Sequence, residues 1–221
     1  MKDIIYRNQK FVKNIFLAIY FILCYQITLM KLSNIAEIQS GHLSREKIDP
    51  RTEGSHFLLQ ARDVDSHRLT YLTDTLIRFN PVMSRRDWVL KSGDVLFMAR
   101  GSRNFSVILK AIPNPVLAAA CFFIIRVSNE EVLPDYLCWY LNQVPVEHYL
   151  IQNSGRGVHM PVVRRSVLEN IDVPIPALEV QKKIMEMQTL EREEQELLNN
   201  LAKKRKELIT TTCLRATRER E

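Results

Sequence analysis

The sequence predicts a mixed α/β (α+β) globular domain followed by one long coiled-coil-type helix. In residues 31–177, short apolar runs alternate with polar stretches that contain glycine, proline or asparagine, which is typical of several short elements around one core. Residues 179–212 contain neither glycine nor proline and are rich in Glu, Lys and Arg, as in a long exposed helix. Between them lies Ile-Asp-Val-Pro-Ile-Pro (171–176), whose prolines fit an edge strand at the exit of the domain.

Length and composition allow one core and an appendage, since the chain has 221 residues of which 46% are hydrophobic. Residues 1–30, with four Lys/Arg against one Asp, supply +3 of the net charge of +6, so the rest of the chain carries only the other +3. Total charge is therefore a weak argument for a nucleic-acid partner, and that argument has to rest on local clusters of basic residues. Four widely spaced cysteines without a CxxC pair predict reduced thiols in a cytoplasmic protein.

Residues 1–30 are a doubtful leader. The apolar run 15–25 follows four basic residues, as in a signal peptide or signal anchor. The run is shorter than the roughly 20 residues that a membrane helix needs, and no small-x-small cleavage site follows it. Two interpretations stay open: a membrane anchor, or translated upstream sequence before a true start at Met30. We favour the second, and we expect a domain over 31–177 without a membrane partner.

The first elements of the domain are predicted from the spacing of apolar residues and from residues that favour caps and turns. Leu32 to Gln39 has near-helical apolar spacing, with Ser33 as a possible cap and Gly41 as the stop. Extended segments are expected at residues 56–64, at 75–79 before Asn80-Pro81, at 88–101 as strand, turn and strand around Ser92-Gly93-Asp94, and at 118–127 as one fully buried strand.

Two helical segments close the prediction. Residues 133–152 regain helical spacing, and Pro145 must kink or split that helix. Residues 178–213 form the spacer or dimerisation helix, and 214–221 a polar tail. The helix over 178–213 has an apolar seam along one face. Charged residues interrupt this seam and further apolar residues widen it, which favours packing against more than one partner helix. The seam consists of Val180, Met187, Leu190, Leu197, Leu201 and Leu208, on two heptad positions.

Motifs for catalysis are missing from the sequence. It contains no P-loop or dinucleotide-type glycine loop, no G-x-S-x-G elbow and no HExxH pair. The five histidines (42, 56, 67, 148 and 159) are scattered, which favours ordinary surface or core positions over metal ligation. We therefore expect no catalytic residue, no metal and no cofactor, and we do not expect an enzyme.

Basic residues cluster in two loops with small neighbours. Arg100-Gly101-Ser102-Arg103-Asn104 follows an apolar strand and offers guanidinium, hydroxyl and amide groups that suit phosphates and base edges. Asn153 to His159 has similar chemistry, with glycines that permit close backbone approach. A surface ion pair is the alternative for any single arginine, but two such loops together favour nucleic acid. The predicted DNA-binding residues are Arg100, Ser102, Arg103, Asn104, Arg156, His159, Arg164 and Arg165.

Three segments, in this order, carry a family resemblance: LSNIAEIQSG (32–41), LKSGDVLFMARGS (90–102) and the stretch from Gly155 to Ile184, including IDVPIP, Leu178 and Gln181. They resemble the target recognition domain of the specificity (S) subunits of type I restriction-modification systems, and the start of its spacer helix. The resemblance covers about residues 31–212. It implies a non-catalytic subunit that binds double-stranded DNA and directs methyltransferase (M) and restriction (R) subunits to a split target in phage defence.

Family members carry two such domains and two such helices, whereas this sequence has one of each. A single module reads one half of a split site, so we expect a homodimer, or pairing with a second specificity chain, through the C-terminal helix. Two alternatives from other classes stay open: a helix-mediated scaffold that reads no DNA, and a membrane-associated interaction module that keeps residues 1–30.

Overall fold

The computed structural model describes residues 27–43, 53–66, 69–81, 89–153 and 162–218. The chain divides into two compact units, Met1–Gln181 and Lys182–Glu221. The first unit is a mixed α/β domain with several small sheets, and the second continues a long helix, which confirms the predicted fold class.

The elements follow one another in short segments. In chain order they are β1 (Thr28–Lys31), α1 (Leu32–Ile35), β2 (Ala36–Ser40), β3 (His56–Leu59), a 3-10 turn (Ala61–Asp63), β4 (Val64–Asp65), β5 (Thr70–Tyr71), β6 (Ile77–Phe79), β7 (Val95–Met98), β8 (Ser106–Ile108), β9 (Val116–Ala118), β10 (Phe122–Val127), α2 (Pro134–Leu141), α3 (Val144–Asn153), α4 (Arg165–Glu169), β11 (Asp172–Ile175) and α5 (Leu178–Arg218).

An antiparallel sheet of order β2-β10-β7-β8 lies at the centre of the domain. Strand β7 is buried on both faces, which explains why its sequence is an uninterrupted apolar run. Val95 and Phe97 belong to the core that includes helix α2, while Leu96 and Met98 belong to a second core with Phe105. The sheet therefore separates two hydrophobic cores, and strand alternation assigns each side chain to one of them.

The described residues form three further sheets, one of which is the antiparallel pair of β4 and β5. Strand β3 lies between β6 and β9 and pairs in parallel with β9. Strands β1 and β11 form a separate antiparallel pair in which Leu29 lies opposite Pro174. Because proline cannot donate a ladder hydrogen bond, it suits this edge position, and the predicted edge strand is confirmed. The first described strand, β1, begins at Thr28.

The helix predicted from Leu32 to Gln39 is wrong beyond its first turn. Helix α1 ends at Ile35, and the backbone of Ala36 is extended, with φ −150° and ψ 147°. Strand β2 follows and pairs with β10, and a period-two pattern buries Ala36 and Ile38 while Glu37 stays exposed. Ser33 lies inside the helix, since the N-cap is Lys31 and makes no side-chain cap bond.

Gly41 has a different function from the predicted helix stop. Its amide N–H donates to the Phe122 carbonyl oxygen at 2.9 Å. A β-carbon at this position would lie 2.1 Å from the Ala119 carbonyl oxygen, closer than any side chain can come. Glycine is required here because two backbone segments pass in contact.

The single strand predicted over 118–127 is also wrong. Turn residues Ala120 and Cys121 divide it into β9 and β10, which belong to different sheets. In the predicted strand-turn-strand over 88–101, Gly93 takes the turn at φ +92°. The described part of the first arm, from Val89 onwards, forms an isolated bridge to Leu117 instead of a strand. The split of the 133–152 helix is confirmed, with Pro145 in the first turn of α3, where a missing N–H costs little.

No helix within the described residues is both long and apolar enough to cross a membrane. The apolar run 15–25 lies outside the described residues.

Candidate DNA interface

The loop between β7 and β8 carries four of the predicted DNA-binding residues. Arg100, Ser102 and Arg103 are exposed, whereas Asn104 is half-buried. Asn104 Nδ2 donates to the Met98 carbonyl oxygen at 2.8 Å, and the Met98 amide donates to the Phe105 carbonyl oxygen at 2.8 Å. Asn104 thus closes the loop, and the other three side chains face solvent from it. We call residues 99–105 the recognition hairpin.

Asn142, at the end of α2, holds the base of the recognition hairpin. Its Oδ1 accepts a hydrogen bond from the Ser106 amide at 2.8 Å. Its Nδ2 donates to the carbonyl oxygens of Ser106 and Cys138, both at 2.9 Å. Because one side chain satisfies both backbone groups of Ser106, the hairpin is tied to the junction of α2 and α3.

The described residues that follow the second predicted basic loop contact the recognition hairpin. Arg156 and His159 lie outside the described residues, in the segment between Asn153 and Val162. Val162 forms an isolated bridge with Arg100, and the Val163 amide donates to the Ala99 carbonyl oxygen at 3.0 Å. The described chain after this segment therefore contacts the recognition hairpin directly.

Arg164 and Arg165 differ in what surrounds them. Both are exposed, and Arg164 precedes the first residue of α4 without making a side-chain cap bond. Arg165 Nε donates to Glu169 Oε1 at 2.7 Å, an ion pair one helical turn along the chain. The ion-pair alternative raised from the sequence thus applies to Arg165, and Arg164 remains the more available cation.

A groove of about 240 Å³ lies beside the recognition hairpin. Five of the described residues that line it are not among those predicted from the sequence, and two of the five, Glu147 and Ile151, are exposed residues of α3. Glu147 follows the buried Val146, and Ile151 follows the buried Leu150. The i, i+4 spacing of Glu147 and Ile151, which places both side chains on one face of the helix, is the sequence signal that could have identified them. The groove is lined by Ser102, Arg103, Asn104, Leu141, Asn142, Glu147, Leu150 and Ile151.

Cys121 lies against the hairpin but does not supply a reactive thiol. The Arg100 amide donates to its carbonyl oxygen at 3.2 Å. Burial raises the pKa of the Cys121 thiol, and backbone hydrogen bonds at Cys121 and Ala61, together with the Arg100 guanidinium, offset only part of that rise. A thiol is a nucleophile only when deprotonated, so its chemistry at neutral pH is weak. The described residues also contain no cluster of three metal-ligating side chains.

The Gly93-Asp94 turn is anchored by a buried ion pair. Asp94 is 1% exposed, and its carboxylate accepts hydrogen bonds from Arg126 Nε and Nη2, each at 2.7 Å. Asp94 Oδ2 also accepts from the Lys91 amide at 2.8 Å, which closes the turn itself. This pairing fixes the start of β7, the strand that leads into the recognition hairpin.

The exit of the domain is anchored by Gln181, which is fully buried. Its Oε1 accepts from the Leu133 amide at 2.9 Å, and its Nε2 donates to the carbonyl oxygens of Glu131 at 2.7 Å and Pro176 at 2.8 Å. The Tyr136 hydroxyl donates to the Pro174 carbonyl oxygen at 2.7 Å, and burial raises its pKa. These bonds explain why a glutamine follows the IDVPIP segment.

The profile of one family, described as "Type I restriction modification DNA specificity domain", matches residues 79–207, more than half of the chain. The chain belongs to this family. The match includes the recognition hairpin, the groove, the exit strand and most of α5. Type I specificity subunits are non-catalytic and bind DNA in assemblies with M and R subunits, so the predicted family and the prediction of a non-enzyme are confirmed.

Three solved structures share the fold. The HsdS subunit from Thermoanaerobacter tengcongensis has a TM-score of 0.55 and 18% identity, over 76% of this chain and 37% of that one. The type I S subunit from M. genitalium has a TM-score of 0.50 and 14% identity, over 80% and 42%. A chain from a structure on complex assembly and conformational transition of the type I R-M system has 0.53 and 17%, over 76% and 38%.

At these identities the likeness shows the fold alone, and this chain spans less than half of each of those chains. A search of curated proteins found no match.

Proposed function

We propose that this chain reads one half of a split DNA target for a type I restriction-modification system in the cytoplasm, and so directs M and R subunits in phage defence. The observation that carries the proposal is the recognition hairpin, which presents Arg100, Ser102 and Arg103 on a fixed stem. Guanidinium groups in such a position suit guanine edges and phosphates. The fixed stem lowers the conformational entropy lost on binding.

Selection from a random DNA library tests this proposal. The purified chain is expected to enrich one half-site, with an affinity about a thousandfold or more above that for unrelated DNA. Specific and non-specific binding should both weaken as salt rises from about 50 to about 200 mM, because phosphate contacts release counterions. A chain that enriches no sequence over this range would contradict DNA reading and favour the scaffold alternative.

We also propose that two copies pair through α5. This helix has 41 residues and is roughly 60 Å long, with large apolar side chains exposed along it. A lone helix of this kind is marginally stable in water, so a partner helix that covers the apolar side chains would stabilise it. Antiparallel pairing would supply a second reading domain for the other half-site. The apolar side chains that are more than half exposed are Met187, Leu190, Leu197, Leu198, Leu201, Leu208, Ile209 and Leu214.

Light scattering after size exclusion checks the pairing. The wild-type chain is expected to have twice the monomer mass at micromolar concentration, and Leu197→Glu to reduce it to the monomer mass. Leu197 is 70% exposed and lies on the seam, so a negative charge there in each copy would oppose burial of the seam between the two helices. Asn199→Glu adds the same charge two residues away, outside the seam, and should stay dimeric. A monomeric wild type would contradict self-pairing and leave a second specificity chain as the partner.

A further inference from the structure

We infer that the groove beside the recognition hairpin is a base-reading site, in which Ile151 contacts the 5-methyl group of a thymine in the DNA major groove. The inference rests on the proposed function and extends it, because it adds helix α3 to a reading surface that the sequence placed on loops alone.

Ile151 is an exposed apolar residue on a helix whose core contacts are made by others. Its side chain is 65% exposed, while Val146 and Leu150 are 1% and 5% exposed and anchor α3 in the core. Ile151 lines the groove together with Arg103 and Glu147. Its apolar surface therefore meets the same space as the side chains that would contact DNA.

The groove combines three kinds of group that match base edges. The Arg103 guanidinium suits the guanine O6 and N7 acceptors, the Glu147 carboxylate suits the cytosine N4 amine, and the Ile151 side chain suits the thymine methyl group. The major groove displays these features, whereas the minor groove has no methyl group. A site with this mixture fits base-pair edges better than a purely apolar ligand.

The charge around the groove favours a polyanion as its occupant. Arg100 and Arg103 are exposed on the hairpin, and Arg164 is exposed just beyond Val163, which is bonded to that hairpin. Against these three cations the groove lining supplies one carboxylate, Glu147. An apolar protein segment would gain nothing from the surrounding arginines, but DNA phosphates would.

Hydrogen bonds of one side chain hold the two walls of the groove together. Asn142 bonds to both backbone groups of Ser106 and lies between α2 and α3, so the hairpin and the helix are held to the same point. Base reading needs fixed positions for its contacting groups, and this bonding supplies them.

Uracil substitution tests the contact one methyl group at a time. In the half-site selected by the wild-type chain, each thymine is replaced in turn by deoxyuridine, which lacks only the 5-methyl group. One replacement should weaken wild-type binding about fourfold, the factor that corresponds to one buried methyl-sized group. Ile151→Ala should lose a similar factor on thymine DNA and show no further loss on uracil at that position.

Val144→Ala is the matched control. Val144 lies on the same helix and is 58% exposed, but it does not line the groove. This variant should keep the full response to uracil.

Three results would overturn the inference while the proposed function stands. They are a selected half-site in which no uracil replacement changes affinity, a selected half-site without thymine, and an Ile151→Ala loss that is equal on thymine and uracil DNA. The last is what a wedge between base steps or a packing role would give. If the wild-type chain selects no sequence, the proposed function fails first, and the inference with it.

Discussion

Replacing Arg100 and Arg103 together with Ala is expected to weaken specific DNA binding a hundredfold or more. Both side chains are exposed on the recognition hairpin, whose stem is held by Asn104 and Asn142. A good base contact contributes about 1–3 kcal/mol, so the loss of two contacts costs about 4 kcal/mol at the middle of that range, which is roughly a thousandfold in affinity. Fluorescence anisotropy with the selected half-site at constant salt measures the change.

The control for this double variant is Arg165→Ala. It removes a positive charge from the same surface, but Arg165 is already paired with Glu169, so we expect less than about a threefold change. Titration with unrelated DNA separates base contacts from phosphate contacts. The loss of a phosphate contact weakens the affinity for the selected half-site and the affinity for unrelated DNA alike, whereas the loss of a base contact weakens only the first. Unchanged affinity in the double variant would remove the recognition hairpin from the interface.

Asp94→Ala is expected to lower the free energy of unfolding of the domain by about 3–5 kcal/mol. The Asp94 carboxylate is buried and accepts two hydrogen bonds from Arg126, whose side chain is only 24% exposed. Without Asp94, the partly buried Arg126 guanidinium loses two hydrogen bonds of 2.7 Å to a carboxylate, and the turn before β7 loses the bond from the Lys91 amide. Urea denaturation followed by circular dichroism measures the loss.

Asp135→Ala is the matched control for the buried pair. Asp135 and Lys110 form an ion pair at 2.9 Å, but their side chains are 40% and 71% exposed. Solvent screens such a pair, so its loss should cost about 1 kcal/mol or less. If the Asp94 and Asp135 variants lose equal amounts of unfolding free energy, burial of the Asp94–Arg126 pair is not the cause of its contribution to stability.

Local sequence signals predicted the parts of the fold that depend on single residues. Gly93 marks a turn because it can adopt a positive φ, and Pro145 marks a helix boundary because it lacks an N–H. The change from helix to strand at Ala36 had no such signal. The apolar residues from Leu32 to Ile38 fit both periods, and pairing of β2 with β10 decides between them.

The candidate site divides in the same way. The cluster of Arg100, Ser102 and Arg103 was visible because charged and small residues follow an apolar strand. The ion pair of Arg165 can also be predicted from the sequence, since Glu169 follows at the i, i+4 spacing. Asn142 could not be selected, because its importance comes from contacts with a hairpin more than thirty residues away in the chain.

The bonds that hold the recognition hairpin end on main-chain atoms. Asn104 binds the Met98 carbonyl, Asn142 binds both backbone groups of Ser106, and Val163 binds the Ala99 carbonyl. None of these bonds depends on which side chain occupies positions 100, 102 or 103. The hairpin can therefore exchange its outward residues without loss of shape, so a lineage could acquire a new target sequence by point substitution while the rest of the domain stays unchanged.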